Sequence, residues 1–261
     1  MSHASPIPLR RWLLAAALVL TLALPATGRA DGNDPSLDEL VKAFNVIAFG
    51  SEMLNVKATG MLLKWDTTEI PVNMTRFDSA QDHDLKPLPA ETGWATYAWR
   101  HLRELEAITG LKFTDSLKRK KRPHITIVFT NRMLLGKVPI PGVSHALQAE
   151  MSAPGGCYFV AFPAKSGALD RAVVVVNTDR PAQDIDSCIL EELTQSLGLP
   201  NDTDLIRPSI FSDHDHLVRL STGDSILLKT LYNKRMKPGM SKKAAMTMAR
   251  LLFAQELAAR R

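Results

Sequence analysis

Apolar residues recur along this chain in two rhythms, and the switches between them mark out its elements. Ser36-Leu37-Asp38-Glu39 has the form of a capping box. Leu37, Leu40, Val41, Phe44 and Ile47 follow at helical spacing, which predicts a first helix to about residue 49. The rhythm then shortens over residues 61–65 and 69–74, where Ile70, Val72 and Met74 alternate, and Asp66-Thr67-Thr68 reads as a turn between two strand arms. Trp94, Tyr97, Leu102, Leu105 and Ile108 return to the helical period until Gly110 ends the run. Strands are predicted over 124–129, 158–162 and 172–176. The unbroken Val173-Val174-Val175-Val176 implies a strand covered on both faces, because alternation is lost when neither side meets water. Asp184 or Asp186 is placed to cap a helix running to Leu197. A second capping box, Ser221-Thr222-Gly223-Asp224, opens a helix to about Tyr232, and Pro238-Gly239 breaks the chain before an amphipathic helix from Ser241 to about Leu257.

This succession is an α+β order. Residues 31–261 are enough for one sizeable core, and no internal repeat or long low-complexity linker divides them, so a single domain is expected.

The segment Glu191-Glu192-Leu193-Thr194-Gln195-Ser196-Leu197-Gly198-Leu199-Pro200-Asn201 resembles the zinc-binding helix of the matrixin-type metalloproteases, whose pattern reads H-E-L-G-H-A-L-G-L-x-H. Glu191, Gln195 and Asn201 stand at the histidine positions, Glu192 at that of the general base, and Gly198 at that of the glycine where the chain turns. The matched order continues. Pro208-Ser209-Ile210-Phe211 corresponds to the tight turn holding a methionine beneath the zinc, with Ile210 in the methionine position. Leu220-Ser221-Thr222-Gly223-Asp224 and Leu231-Tyr232 correspond to the start and end of the closing helix. The whole chain also resembles an uncharacterised bacterial family of exported proteins, classed as a domain of unknown function. These resemblances imply a zincin-like single domain over residues 31–261, with a mixed sheet and a ligand-bearing helix. The motif region covers about 184–233, and an extra C-terminal helix at about 241–257 lies beyond it.

The first thirty residues have the physical form of an export signal: Arg10-Arg11, an apolar run from Trp12 to Leu24, Pro25, and small residues at Gly28 and Ala30. Cleavage after Ala30 is expected, with an uncleaved anchor as the alternative. The apolar run is short for a membrane span, so no stable span is expected after cleavage. Removing residues 1–30 takes away three arginines and no acids, leaving 29 cationic against 27 anionic side chains. That near-neutral balance argues against a nucleic-acid partner. Cys157 and Cys188 fit an oxidising compartment, and a bridge between them is expected in a periplasmic or secreted protein.

The chemistry turns on the helix around Glu192. On a helical wheel Cys188, Glu191, Glu192, Gln195 and Ser196 share one side, while Ile189, Leu190, Leu193 and Leu197 share the other. This face is either solvated or, as the resemblance implies, turned into a former catalytic cleft. A carboxylate and two amides form a hard, weak donor set better suited to calcium or magnesium than to zinc. No cofactor is therefore expected: zinc is disfavoured, and another divalent metal stays open. Without zinc, Glu192 has no acidified water to deprotonate. Asp202 and Asp204 lie close to Asn201 in the chain. Asp213-His214-Asp215-His216 is either a solvated loop or, through His214 and His216, a replacement ligand set with Glu191 or Glu192. A metal-free acid–base pair of Glu191 and Glu192 is a further option, though their side chains diverge by about 100° around the helix axis. The cationic run Lys118-Arg119-Lys120-Lys121-Arg122 is a solvated connector or a contact for anionic lipid or polymer. The function expected is a non-catalytic module for an extended peptide or envelope protein, with Glu191, Gln195, Asn201 and Asp202 as binding residues. The alternative is a peptidase-like hydrolase with a rewired centre using Glu192.

Overall fold

Ser36 opens the first helix as its sequence pattern requires. Its hydroxyl accepts from the Glu39 N–H at 3.3 Å, and the Glu39 carboxylate accepts from the Ser36 N–H at 2.8 Å. The structure, a computed structural model, describes Met1 and residues 34–50, 60–79, 85–88 and 93–260. The expected export leader, Met1 apart, lies outside these residues.

In chain order the elements are α1 (Leu37–Phe49), β1 (Lys64–Trp65), β2 (Glu69–Phe77), β3 (Lys86–Pro87), α2 (Gly93–Thr109), β4 (Lys112–Asp115), α3 (Ser116–Arg119) and β5 (Ile125–Thr130). A 3-10 turn at Arg132–Lys137 leads to α4 (His145–Ser152), β6 (Cys157–Pro163), β7 (Ala168–Asn177), α5 (Ala182–Gln195), α6 (Thr222–Leu231) and α7 (Lys242–Ala259). The result is a single α+β domain with a mixed sheet. β5 lies between β2 and β7 and runs parallel to both, β4 is parallel to β2, and β6 runs antiparallel along the other side of β7.

Residues 173–176 are covered on both faces, as their unbroken valines imply. Val174 and Val176 join the larger core with α1, α2, α5, α6 and α7, and Val173 and Val175 join a smaller core with α4 and the 3-10 turn. Among the described residues no helix is long and apolar enough to cross a membrane.

Two sequence expectations are corrected. Strand arms 61–65 and 69–74 do not form a hairpin: β1 pairs parallel with the start of β7, and β2 pairs with β5 and β4. Neither Asp184 nor Asp186 caps α5, which starts after Pro181 without a side-chain cap. Asp186 is instead buried against α2, where His101 Nε2 lies 2.6 Å from its carboxylate and Arg100 donates to both oxygens. Burial lowers the His101 pKa against the pull of Asp186, so this contact joins the carboxylate and guanidinium beside a neutral imidazole at neutral pH.

The C-terminal end of α5 is tied down by Trp65 of β1 and by Tyr232, which follows α6. Trp65 Nε1 donates to Ser196 O at 3.1 Å, and the Tyr232 hydroxyl donates to Leu197 O at 2.8 Å, satisfying carbonyls that a helix terminus leaves open. Beside them Lys64, only 7 % exposed, donates to Leu231 O at 2.9 Å and Met236 O at 3.1 Å. Burial brings the Lys64 pKa down to about 8, with Lys237 adding to the effect.

The consequence is a signed pH dependence. Between about pH 8 and the ordinary lysine value near 10.4 the unfolded chain holds the proton that folded Lys64 has lost, so stability rises with pH through this group. Burial pushes Tyr158 up to about 12. Above about pH 10 the folded state holds the extra proton there, and stability falls. In a pH series of denaturation midpoints we expect a modest rise from about pH 8, then a turnover above about pH 10, with the rise absent in Lys64→Met. A wild-type midpoint that declines steadily from pH 8 contradicts this account.

Candidate functional site

α5 carries its polar side chains inward. Cys188, Glu192 and Gln195 are 4 %, 6 % and 4 % exposed and Glu191 is half-buried, so most of this polar face is withdrawn from bulk solvent. They line a cleft of about 680 Å³. Its other walls are β6, the α4 side chains Leu147, Glu150 and Met151, and the stretch from Pro200 to Asp202 with part of the 212–216 loop. The Cys157–Cys188 disulfide, with Cα atoms 6.1 Å apart, joins β6 to α5 within this cleft.

Among the described residues β6 pairs only with β7, so its other edge faces the cleft unpaired. The register fixes which backbone groups lie on that edge. Asn177 N donates to Gly156 O directly opposite, and in an antiparallel ladder such pairs alternate with pairs that do not bond each other. Ala172 N correspondingly turns away from β6 and donates to His124 O. Cys157, Phe159 and Ala161 therefore aim their N–H and C=O groups away from β7, along the open edge. Pro163, which has no N–H, ends the strand.

Two of the three positions that the resemblance matches to zinc ligands, Gln195 and Asn201, have hydrogen-bond partners within the protein. Asn201 Nδ2 donates to Val46 O at 3.2 Å and Ile47 O at 3.1 Å, and Asn201 N also donates to Ile47 O, so this residue satisfies the last carbonyls of α1. Gln195 Nε2 donates to Asp202 Oδ1 at 2.5 Å. Side-chain amides engaged in this way are poor zinc donors beside the imidazole, thiolate and carboxylate groups that zinc sites use. Among the described residues no three of His, Cys, Asp and Glu gather where they could hold a metal ion.

The remaining predicted site residues divide in two. Glu191, Glu192, Gln195, Asn201, Asp202 and His216 all line the cleft. His214 is exposed outside that lining, with Nε2 3.5 Å from Asp204 Oδ2. Asp215 is taken by Arg207 at 2.8 Å and by Ser209 N at 3.1 Å. Ile210, in the methionine position of the resemblance, is 3 % exposed, and its turn is anchored by the buried Asp224. Burial raises the Asp224 pKa, opposed by hydrogen bonds from Ser209 and Ser221.

Outside the cleft lining, the cationic run 118–122, which spans the end of α3 and the turn after it, is exposed, with Lys121 paired to Glu69 at 2.9 Å. Sequence reasoning missed α4 and its cleft residues, whose one local signal was the N-cap Ser144, accepting from Leu147 N at 3.2 Å. It also had no means of finding the open backbone groups of Phe159 and Ala161, because exposure of a strand edge leaves no mark on composition.

Fold and site together define a single-domain α+β protein in which, among the described residues, an open edge of β6 faces a carboxylate-rich helix. The chain belongs to a family described as a protein of unknown function, DUF2927, which matches residues 38–250. No curated protein matches it.

Proposed function

We propose that this protein is an exported, non-catalytic module that binds an extended peptide or a segment of an envelope protein, on a zincin-like scaffold whose zinc ligands have been replaced. The observation that carries this reading is the open edge of β6 lying across the cleft from the buried polar face of α5. An added strand gains main-chain hydrogen bonds from such an edge, and flanking pockets select its side chains. The zincin-like part is supported by the Gly198 turn, the Asp224-anchored turn at Ile210 and the α6 helix, which follow the site helix in the order of the resemblance. Export is supported by the form of residues 1–30, and protein recovered from the cell envelope is expected by mass spectrometry to begin at Asp31 with its thiols oxidised. Free thiols under non-reducing conditions would count against an oxidising compartment.

The edge is tested by Ala161→Pro. This change removes an N–H that faces the cleft and leaves the β7 ladder intact, so the melting temperature should hold within a few degrees while binding of an extended peptide falls by about tenfold or more. Unchanged binding would remove the edge from the mechanism. Glu192→Gln keeps shape and removes charge, and should weaken binding by about 1 to 3 kcal/mol, the scale of a hydrogen bond to a charged group. Wild type should not turn over unstructured peptides. Cleavage that is present in wild type and lost in Glu192→Gln would replace this proposal with a rewired hydrolase.

A further inference from the structure

We infer that the ligand of this cleft is a cationic extended peptide with basic and apolar residues in alternation. The inference rests on the peptide-binding reading above and adds the chemistry of the ligand.

The first observation is a local separation of charge. The cleft is lined by Glu150 from α4, by Asp184, Glu191 and Glu192 from α5, and by Asp202 and Asp213 from the following loop. Among its described lining residues Arg180 is the one permanent cation, and it already lies 3.5 Å from Asp184. The chain as a whole has 32 Lys and Arg against 27 Asp and Glu, so acidity belongs to this surface and not to the composition. Carboxylates held against low-dielectric walls focus a negative potential that favours a cation and repels an acidic segment.

The second observation is which side of β6 each wall occupies. Phe159 and Ala161 pack with the core that holds Ile185 and Ile189 of α5, and Cys157 is bonded to Cys188 of the same helix. Tyr158 and Val160 pack on the opposite face with Met151 and Leu147 of α4. A strand added to the edge places each residue on the same face as its neighbour across the pair. Side chains opposite Cys157, Phe159 and Ala161 therefore point toward the carboxylates of α5. Those opposite Tyr158 and Val160 point toward Leu147 and Met151. The first set suits lysine or arginine, whose stems lie along apolar surface while the charged head reaches the acids, and the second suits aliphatic residues.

Capped eight-residue peptides test each part: alternating Lys-Val, alternating Ser-Val, alternating Glu-Val, and a Lys-Lys-Val-Val repeat with the composition of the first. Binding is read by fluorescence anisotropy on the oxidised protein lacking residues 1–30. Lys-Val should bind about tenfold or more tighter than Ser-Val and Lys-Lys-Val-Val, Glu-Val weakest, and the Lys-Val advantage should shrink several-fold from about 50 mM to about 300 mM salt. Glu191→Gln, which removes a carboxylate of α5 on the side where the lysines point, should narrow the gap between Lys-Val and Ser-Val. Equal affinity for Lys-Val and Ser-Val would overturn the cationic ligand while leaving strand addition standing. Equal affinity for Lys-Val and Lys-Lys-Val-Val would overturn the alternation. Failure of all four peptides to bind would remove the peptide-binding reading itself.

Discussion

Gly198→Ala is expected to destabilise the protein by about 4 kcal/mol or more, through left-handed backbone strain and backbone overlap acting together. Gly198 has φ +116°, and a Cβ placed there would lie 2.2 Å from Leu63 O and 2.9 Å from Leu63 C. Neither side of this contact can yield cheaply. The stretch after Leu63 is held by pairing of β1 with β7 and by the two hydrogen bonds from Lys64 to Leu231 O at the end of α6 and to Met236 O beyond it. On the other side, Ser196 O and Leu197 O are fixed by Trp65 and Tyr232. A loss of this size is a large share of the roughly 5–15 kcal/mol that holds a domain folded, and corresponds to a fall in melting temperature on the order of 10 °C. Thermal unfolding followed by circular dichroism measures it. A melting temperature within about 2 °C of wild type would show that the Leu63 backbone moves freely, and would remove the structural basis of the tight turn after α5.

Asp224→Ala is the second large effect, about 4 to 5 kcal/mol, because it strands several donors in the interior at about 1 to 3 kcal/mol each. The Asp224 carboxylate is fully buried and accepts from Ser209 Oγ at 2.6 Å, from Ile210 N at 3.2 Å and from Ser221 N at 2.9 Å. It is thus both the N3 residue of the α6 capping box and the anchor of the turn beside Ile210. Asp224→Asn keeps the shape and one acceptor oxygen, and should lose roughly half as much stability. Urea unfolding of both variants gives the comparison. Equal losses for alanine and asparagine would mean that the negative charge, rather than the number of acceptors, holds the turn.

Much of the fold follows from local causes that a linear sequence displays. The capping boxes at Ser36 and Ser221 form as their spacing implies, and Gly110, with φ 74°, follows the last residue of α2. The valines of β7 separate the two cores. The cysteines form the expected bridge. β4 leaves no legible signal, because a four-residue strand is too short to give a period against its surroundings.

For the site, the sequence by itself determined which side chains share a face of α5, because helical geometry places residues three and four apart together whatever surrounds them. The spacing of Ser221 and Asp224 likewise determined a helix cap, while the turn at Gly198 was implied by the matched motif. Only the tertiary structure decided that this face is buried against β6, that Asn201 serves the end of α1 and that Asp186 belongs to Arg100 and His101. Only it decided that β1 runs beside β7 and that, among the described residues, β6 keeps an open edge. The physical reason is common to all of these. A helix closes its hydrogen bonds within a few residues, whereas strand partners, burial and side-chain contacts are set by segments far apart in sequence. Asn201 and Val46, 155 positions apart, meet only through the tertiary packing of α1 against the stretch that follows α5.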